Sequence, residues 1–523
     1  MAQAILPDLR YLTASAALED LRQGRYTAQN LVEGCQTRID RLNAGLNALV
    51  ALNREGARAA ACQVDARRAA GDDPGPLGGL PISVKDTFAT RDLPTTASHP
   101  PLAGYQPGRD ATVVARWRQA GAVLMGKSNL PELAGAPHGW SPLFGATHNP
   151  WQRHRTPGGS SSGAAVAIAS GFSLLELGSD IGGSLRIPAA YCGISSLKAT
   201  ENRIPRTGHI PHLPPRDGRS GVGRTVWHLL SMGVLARSAA DLALGYRLLP
   251  GPDGEDSTVP PWAPATGASG ALGVSYAPKT LSPAPLRLLW WDDFEGLPLC
   301  FRTRAALVQL KQRLEGAGHR VERQEPGIFD IGRAWAAYGT LAGAEIGLGL
   351  PPWQRLLLGN LERLGPLAGL QRQPVARAFM RGLRADLKAY NQALNAREAL
   401  IETLEGRLGE WDALLCPVAP IGPYPARAMP AGRPFPRLRV EEADGQGETR
   451  LPYLEATVAM TIPFSLTGHP VVVLPIGVVA GLPVGIQIIG RRWQEDTLLQ
   501  LAVHLEPLCG GFTPPPDTME AQP

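Results

Sequence analysis

A chain of 523 residues has room for some three domains at about 150 residues each, and can bury a large core without disulfides or structural metals. Its 44% hydrophobic and 19% charged content excludes a disordered chain, and 60 glycines with 49 prolines call for many turns. The 51 basic and 46 acidic residues leave a net +5 with no basic stripe, so nucleic acid is not expected as a partner. Six cysteines (Cys35, Cys62, Cys192, Cys300, Cys416 and Cys509) form no CxxC pair and suit a reducing compartment. The opening MAQAILPDLRYL has no basic stretch leading into an apolar one, so no secretory signal is expected and a cytoplasmic location is.

Residues 13–70 read as helices: Thr13 can cap one through Leu21, and Leu31, Val32, Cys35, Ile39 and Leu42 share a face of the next. After a turn cluster at 71–79, GLPISVKD gives a short strand ending near Lys85. A helix over 111–121 leads into a buried strand, AVLM. Residues 128–163 are rich in Gly, Pro, Ser and Asn and read as irregular. Small residues over 163–177 continue as helix and strand before GSDIGGSLRIPAA returns to loop. Residues 250–287 read as surface loop, 300–410 as largely helical, and 421–450 as polar loop. The window 471–490 carries no charge, but Pro475, Gly477, Gly481, Pro483 and Gly485 cut it into two strand-length runs around Ala480-Gly481, so no membrane span is expected. Strands interspersed with helices predict an α/β architecture.

Several short motifs compete. Gly121 to Ser128 satisfies GxxxxGK[ST], yet its middle residues AVLM suit a buried strand better than an open phosphate loop, and Pro131 interrupts the helix that should follow. Gly159-Ser160-Ser161-Ser162-Gly163 fits the GxSxG elbow but lacks the apolar strand before it. Ser195 to Lys198 is an SxxK without SDN or KTG partners, and Pro211 keeps His209 and His212 from helical presentation as a metal pair. The longest pattern places two Ser-bearing glycine loops, at Ser160 and Ser184, 24 positions apart around a small-residue helix and strand. Glycines before Ser184 let several amides converge on one point, as an oxyanion hole requires; a Gly/Ser surface loop is the plainer alternative.

Together with GGLPISVKD, this pattern resembles the amidase signature family. DATVVARWRQAGAVLMGKSNLPEL, FGATHNPW, VLARSAADLAL, TIPFSLTGHPVVVLPIG and GLPVGIQIIGRRWQEDTLL are similar to further blocks of that family, so the resemblance covers most of the chain. It implies a large mixed β-sheet core surrounded by α-helices, in one domain over 1–523: N-terminal helices 13–70, a signature core at about 78–245, a variable region at about 250–455, and C-terminal strands 456–508. It further implies Ser184 as the acylating nucleophile, Ser160 as a bridging serine after a cis peptide bond from Gly159, and Lys85 as general base. The backbone amides of Ile181, Gly182, Gly183 and Ser184 would form the oxyanion hole, with Ser161, Asp180 and Arg186 supporting the loop. Ser162, Ser179, Glu176, Ser196 and Ala199 depart from the usual pattern, where Glu176 takes the place of a commoner small residue.

The resemblance implies hydrolysis of an amide C–N bond through a serine ester, with no cofactor and no metal. Lysine can act as the base only when neutral, a form that burial favours. The expected partner is a small-molecule amide, with no nucleic acid, no membrane and at most a second copy of the chain. Trp335, Tyr338, Leu341, Leu348, Leu350, Trp353 and Leu356 to Leu358 are expected to wall an apolar pocket, favouring hydrophobic acyl or aryl amides, or an oligomeric or cyclic amide. The alternatives are the glutaminase subunit of a tRNA-dependent amidotransferase and a non-catalytic binding scaffold.

Overall fold

The structure, a computed structural model, describes residues 7–211, 225–261, 285–294, 296–324, 328, 330–361, 373–426, 436–442 and 449–516. Its first helices form where caps and apolar stripes coincide. Thr13 accepts the Ala16 amide at the head of helix Ala14–Arg22. Thr27 and Asn30 make a capping box for helix Ala28–Leu46, which buries Leu31, Val32, Cys35, Ile39 and Leu42. The buried Asp241 carboxylate accepts the Ala14 and Ser15 amides at 3.0 and 2.8 Å, fastening the first helix to helix Ala239–Tyr246.

Eleven strands form one mixed sheet: β1 (Leu49–Leu52), β2 (Pro81–Lys85), β3 (Val123–Ser128), β4 (Leu175–Asp180), β5 (Ser195–Lys198), β6 (Ser231–Ala236), β7 (Arg287–Trp290), β8 (Arg320–Arg323), β9 (Ala413–Pro417), β10 (Val471–Val479) and β11 (Leu482–Ile489). Their order across the sheet is β1-β3-β2-β4-β6-β5-β10-β11-β9-β7-β8. β2 runs parallel to β3 and β4, and β7 parallel to β8 and β9, while the remaining neighbours are antiparallel. The central strands are buried on both faces because helices surround the sheet. β8 ends one edge with arginines and a glutamate facing solvent, a charged border that discourages pairing with another sheet.

Two of the short motifs form buried strands here. The AVLM run lies in β3, whose six residues are all buried, and Ser195–Lys198 is β5. The uncharged window 471–490 is the antiparallel hairpin β10–β11, turning where Ala480 and Gly481 take positive φ. His209 is buried against the Phe88 ring, with centroids 4.8 Å apart, and His212 lies outside the described residues. No helix among the described residues is long and apolar enough to cross a membrane.

Candidate active site

Parallel pairing sets Ser83 of β2 opposite Glu176 of β4, so the ends of these strands bring Lys85 and Asp180 to the same edge of the sheet. Helix Ser162–Ser170, built mostly of small residues and buried throughout, lies over both strands and starts from the glycine–serine loop. A Cβ at Gly159 would come within 2.2 Å of the His138 carbonyl oxygen, so only glycine fits there. The Gly159–Ser160 peptide bond that follows is cis.

Lys85 is fully buried, and its Nζ donates to Ser160 Oγ at 2.8 Å and Ser179 Oγ at 3.2 Å. Burial pushes its pKa down to about 7, against the opposing pull of the Asp180 and Glu176 carboxylates. The Ser161 amide donates to the Ser184 carbonyl at 3.1 Å, which joins the two serine loops directly. Ser184 itself is half-buried, two residues before helix Arg186–Cys192.

Asp180 and Arg186 hold the loop around Ser184. Asp180 accepts the Gly183 and Leu185 amides at 2.7 and 3.0 Å, and Arg186 donates to both carboxylate oxygens at 3.1 and 2.9 Å. Burial alone would raise the Asp180 pKa, but the charge and hydrogen bonds of Arg186 bring it down to about 2. Arg186 also donates to the Thr461 carbonyl, Gln487 Oε1 and Ser465 Oγ at 2.8, 2.9 and 2.7 Å, anchoring the loop to the C-terminal part of the chain. The Gly183 amide is thus engaged by Asp180, which removes it from the oxyanion donors expected from sequence. At Gly183, φ is +123° and a Cβ would meet Thr461 Oγ1 at 2.5 Å, so this position also demands glycine.

Three neighbours of the site have no role in the sequence reading: Ser179 as a second partner of Lys85, Thr461 donating to the Gly182 carbonyl at 2.6 Å, and Glu176 behind Lys85; Tyr338, expected as a pocket residue, does reach the site, its hydroxyl standing over Gly182. Ser179 and Glu176 do stand out in the sequence as departures from the family pattern, whereas nothing local marks Thr461. Apart from Tyr338, the expected apolar wall does not assemble. Trp335 and Leu341 are core residues, with Trp335 Nε1 donating to the Ala459 carbonyl at 3.1 Å, while Leu348, Trp353, Leu356, Leu357 and Leu358 are on the outer surface. Helical spacing marks a buried stripe without saying which cavity, if any, it faces.

Comparison with known proteins bears on this geometry. The family model Amidase matches residues 30–499. A glutamyl-tRNA(Gln) amidotransferase subunit from Synechococcus sp. (strain CC9605) is 32% identical, covering 98% of this chain and 99% of its own. Its counterpart from Chloroflexus aggregans (strain MD-66 / DSM 9485) is 33% identical, covering 99% of this chain and 100% of its own. A solved amidase superposes with a TM-score of 0.72 at 29% identity, covering 95% of this chain and 99% of its own. These relatives overturn the expectation of a small-molecule amide as the partner, without nucleic acid and with at most a second copy of the chain, because the name they carry includes a tRNA and marks them as parts of a larger assembly. Net charge describes this chain's own surface and is blind to what a companion subunit holds. The match over nearly the whole chain, together with the mixed sheet and its two serine loops, makes this protein a member of the amidase signature family.

Proposed function

We propose that this chain hydrolyses a carboxamide through an ester on Ser184 and acts as the ammonia-releasing subunit of a glutamyl-tRNA(Gln) amidotransferase type of assembly in the cytoplasm. The observation that carries the chemistry is the buried Lys85 Nζ at 2.8 Å from Ser160 Oγ, beside the loop that presents Ser184. Neutral Lys85 takes the Ser160 proton while Ser160 takes that of Ser184, whose Oγ attacks the amide carbon. The amides of Ile181, Gly182 and Ser184 are the donors left to stabilise the oxyanion, with Asp180 and Arg186 keeping the loop in shape. The relay then returns a proton to the departing nitrogen, ammonia leaves, and water hydrolyses the ester by the same route.

Membership of such an assembly rests on the curated relatives, and glutamine becomes the amide donor by that analogy. The loss of the apolar wall removes the ground for preferring hydrophobic acyl amides. Ammonia release from glutamine should be measured with the chain alone and with the companion subunits of a glutamyl-tRNA(Gln) amidotransferase plus glutamyl-tRNA. Release that rises on adding them is the expected result. Turnover of other carboxamides with no glutamine hydrolysis in either arm would overturn the placement in that assembly.

A further inference from the structure

Behind Lys85 lies a second buried ionisable group that the relay does not use. Ser83 and Lys85 are two apart on β2 and share a face, and the sheet register sets Glu176 opposite Ser83 and Ser128 opposite Lys85. The Glu176 carboxyl therefore lies within the same buried cluster as the base. Ser128 Oγ donates to it at 2.7 Å and Ser83 Oγ donates to its other oxygen, while Ser83 and Ser173 hydroxyls meet at 2.6 Å. All four of these residues, and Lys85, are fully buried.

The charges around the cluster sort into pairs. Lys127 of β3 is matched by Asp86 at 3.1 Å, and Asp180 by Arg186 at 2.9 Å. Helix Ser162–Ser170, which closes over the strands, and β6 on the far side of β4 carry no titratable side chain. Lys85 and Glu176 are what remains, each hydrogen-bonded to hydroxyl groups. Burial moves them in opposite directions, Lys85 down to about 7 and Glu176 up to about 8, so they compete for a proton over one pH range.

We propose that Glu176 is a positioning residue for the general base: the charges of the two buried side chains are coupled, and this coupling sets the pH at which Lys85 is free to accept a proton from the serine relay. The inference rests on Lys85 being that base. Two one-proton arrangements compete, neutral lysine with carboxylic acid and ammonium with carboxylate. Only the first is reactive. A residue that cannot ionise at position 176 abolishes the second arrangement and can only increase the neutral-lysine fraction at a given pH.

The probe is the second-order rate of Ser184 labelling by a fluorophosphonate, followed from pH 5 to 10. Serine Oγ attacks phosphorus, fluoride leaves, and the serine proton passes through Ser160 to Lys85, so the rate follows the free base without a known substrate. Glu176→Gln keeps the size of the side chain; its amide oxygen still accepts from one serine while its nitrogen donates to the other hydroxyl. Its rate should rise at lower pH than wild type and over a narrower range, as one ionisation replaces two coupled ones, with severalfold faster labelling near pH 6. Ser128→Ala, which leaves the carboxyl but removes one donor to its charged form, should shift the profile the same way and serves if the first variant does not fold. A purely structural role would change the rate at every pH without moving the profile. Coincident profiles for wild type and the variants overturn the proposal. Lys85→Ala separates this failure from that of the reading beneath it: if its labelling keeps the wild-type rise, Lys85 is not the base.

Discussion

An ammonium group without water loses the solvation that keeps its proton, and Lys85 is in that position. Its nitrogen is met by two serine hydroxyls, and no carboxylate among the described residues forms an ion pair with it. With a pKa near 7 in place of 10.5, a large share of the side chain is a free base at neutral pH. The sign follows: catalysis should be weak where Lys85 is protonated, rise through about pH 7 and level off above it. Lys85→Ala should lower kcat/KM by about 10² to 10⁴-fold, the usual contribution of general acid–base catalysis, and erase the rise. A profile for Lys85→Ala that still climbs near pH 7 would assign the rise to another group.

At the scale of elements, the loop after β4 is held by one buried ion pair that Arg186 extends to three further residues. Arg186 joins Asp180 to Thr461, Ser465 and Gln487, so one side chain couples the nucleophile loop to helix Ile462–Leu466 and to β11. Removing one partner of such a pair leaves an uncompensated charge in the core, at a cost of about 3–5 kcal/mol. Arg186→Met should therefore lower the urea midpoint of unfolding accordingly and slow Ser184 labelling even where the protein remains folded; an unchanged midpoint would mean that Asp180 finds other partners. This coupling also marks where sequence reading stops. Lys85, Ser160 and Ser184 are singled out through the resemblance to the amidase signature family, since the glycine–serine spacing alone suits a surface loop as well, while the hairpin 471–490 is legible because its prolines and glycines admit no long helix. Thr461 reaches the site from a remote segment, so no local pattern announces it, whereas Tyr338 belongs to the expected pocket stripe. The other apolar residues of 335–358 failed as a pocket for the opposite reason: their spacing is a true helical stripe, but folding divided them between core and outer surface.

Across the whole molecule, the sheet explains why so many separated segments are needed for one reaction. β2 and β4 supply Lys85 and the start of the Ser184 loop, while helix Arg186–Cys192 rests on β10 and β11, strands formed by residues almost 300 positions later. At the contact, a Cβ on Gly485 would come within 2.8 Å of the Ala190 Cβ, so the hairpin seats the nucleophile's helix closely. The rest of the chemistry depends on that seat presenting Ser184, and no other serine, to an electrophile. Peptide mapping of the full-length protein after fluorophosphonate treatment addresses this directly, in wild type and in Ser184→Ala. The adduct is expected on Ser184 in wild type and absent from the variant. An adduct on Ser161, or labelling that survives Ser184→Ala, would contradict the assignment and place the nucleophile on the other serine loop.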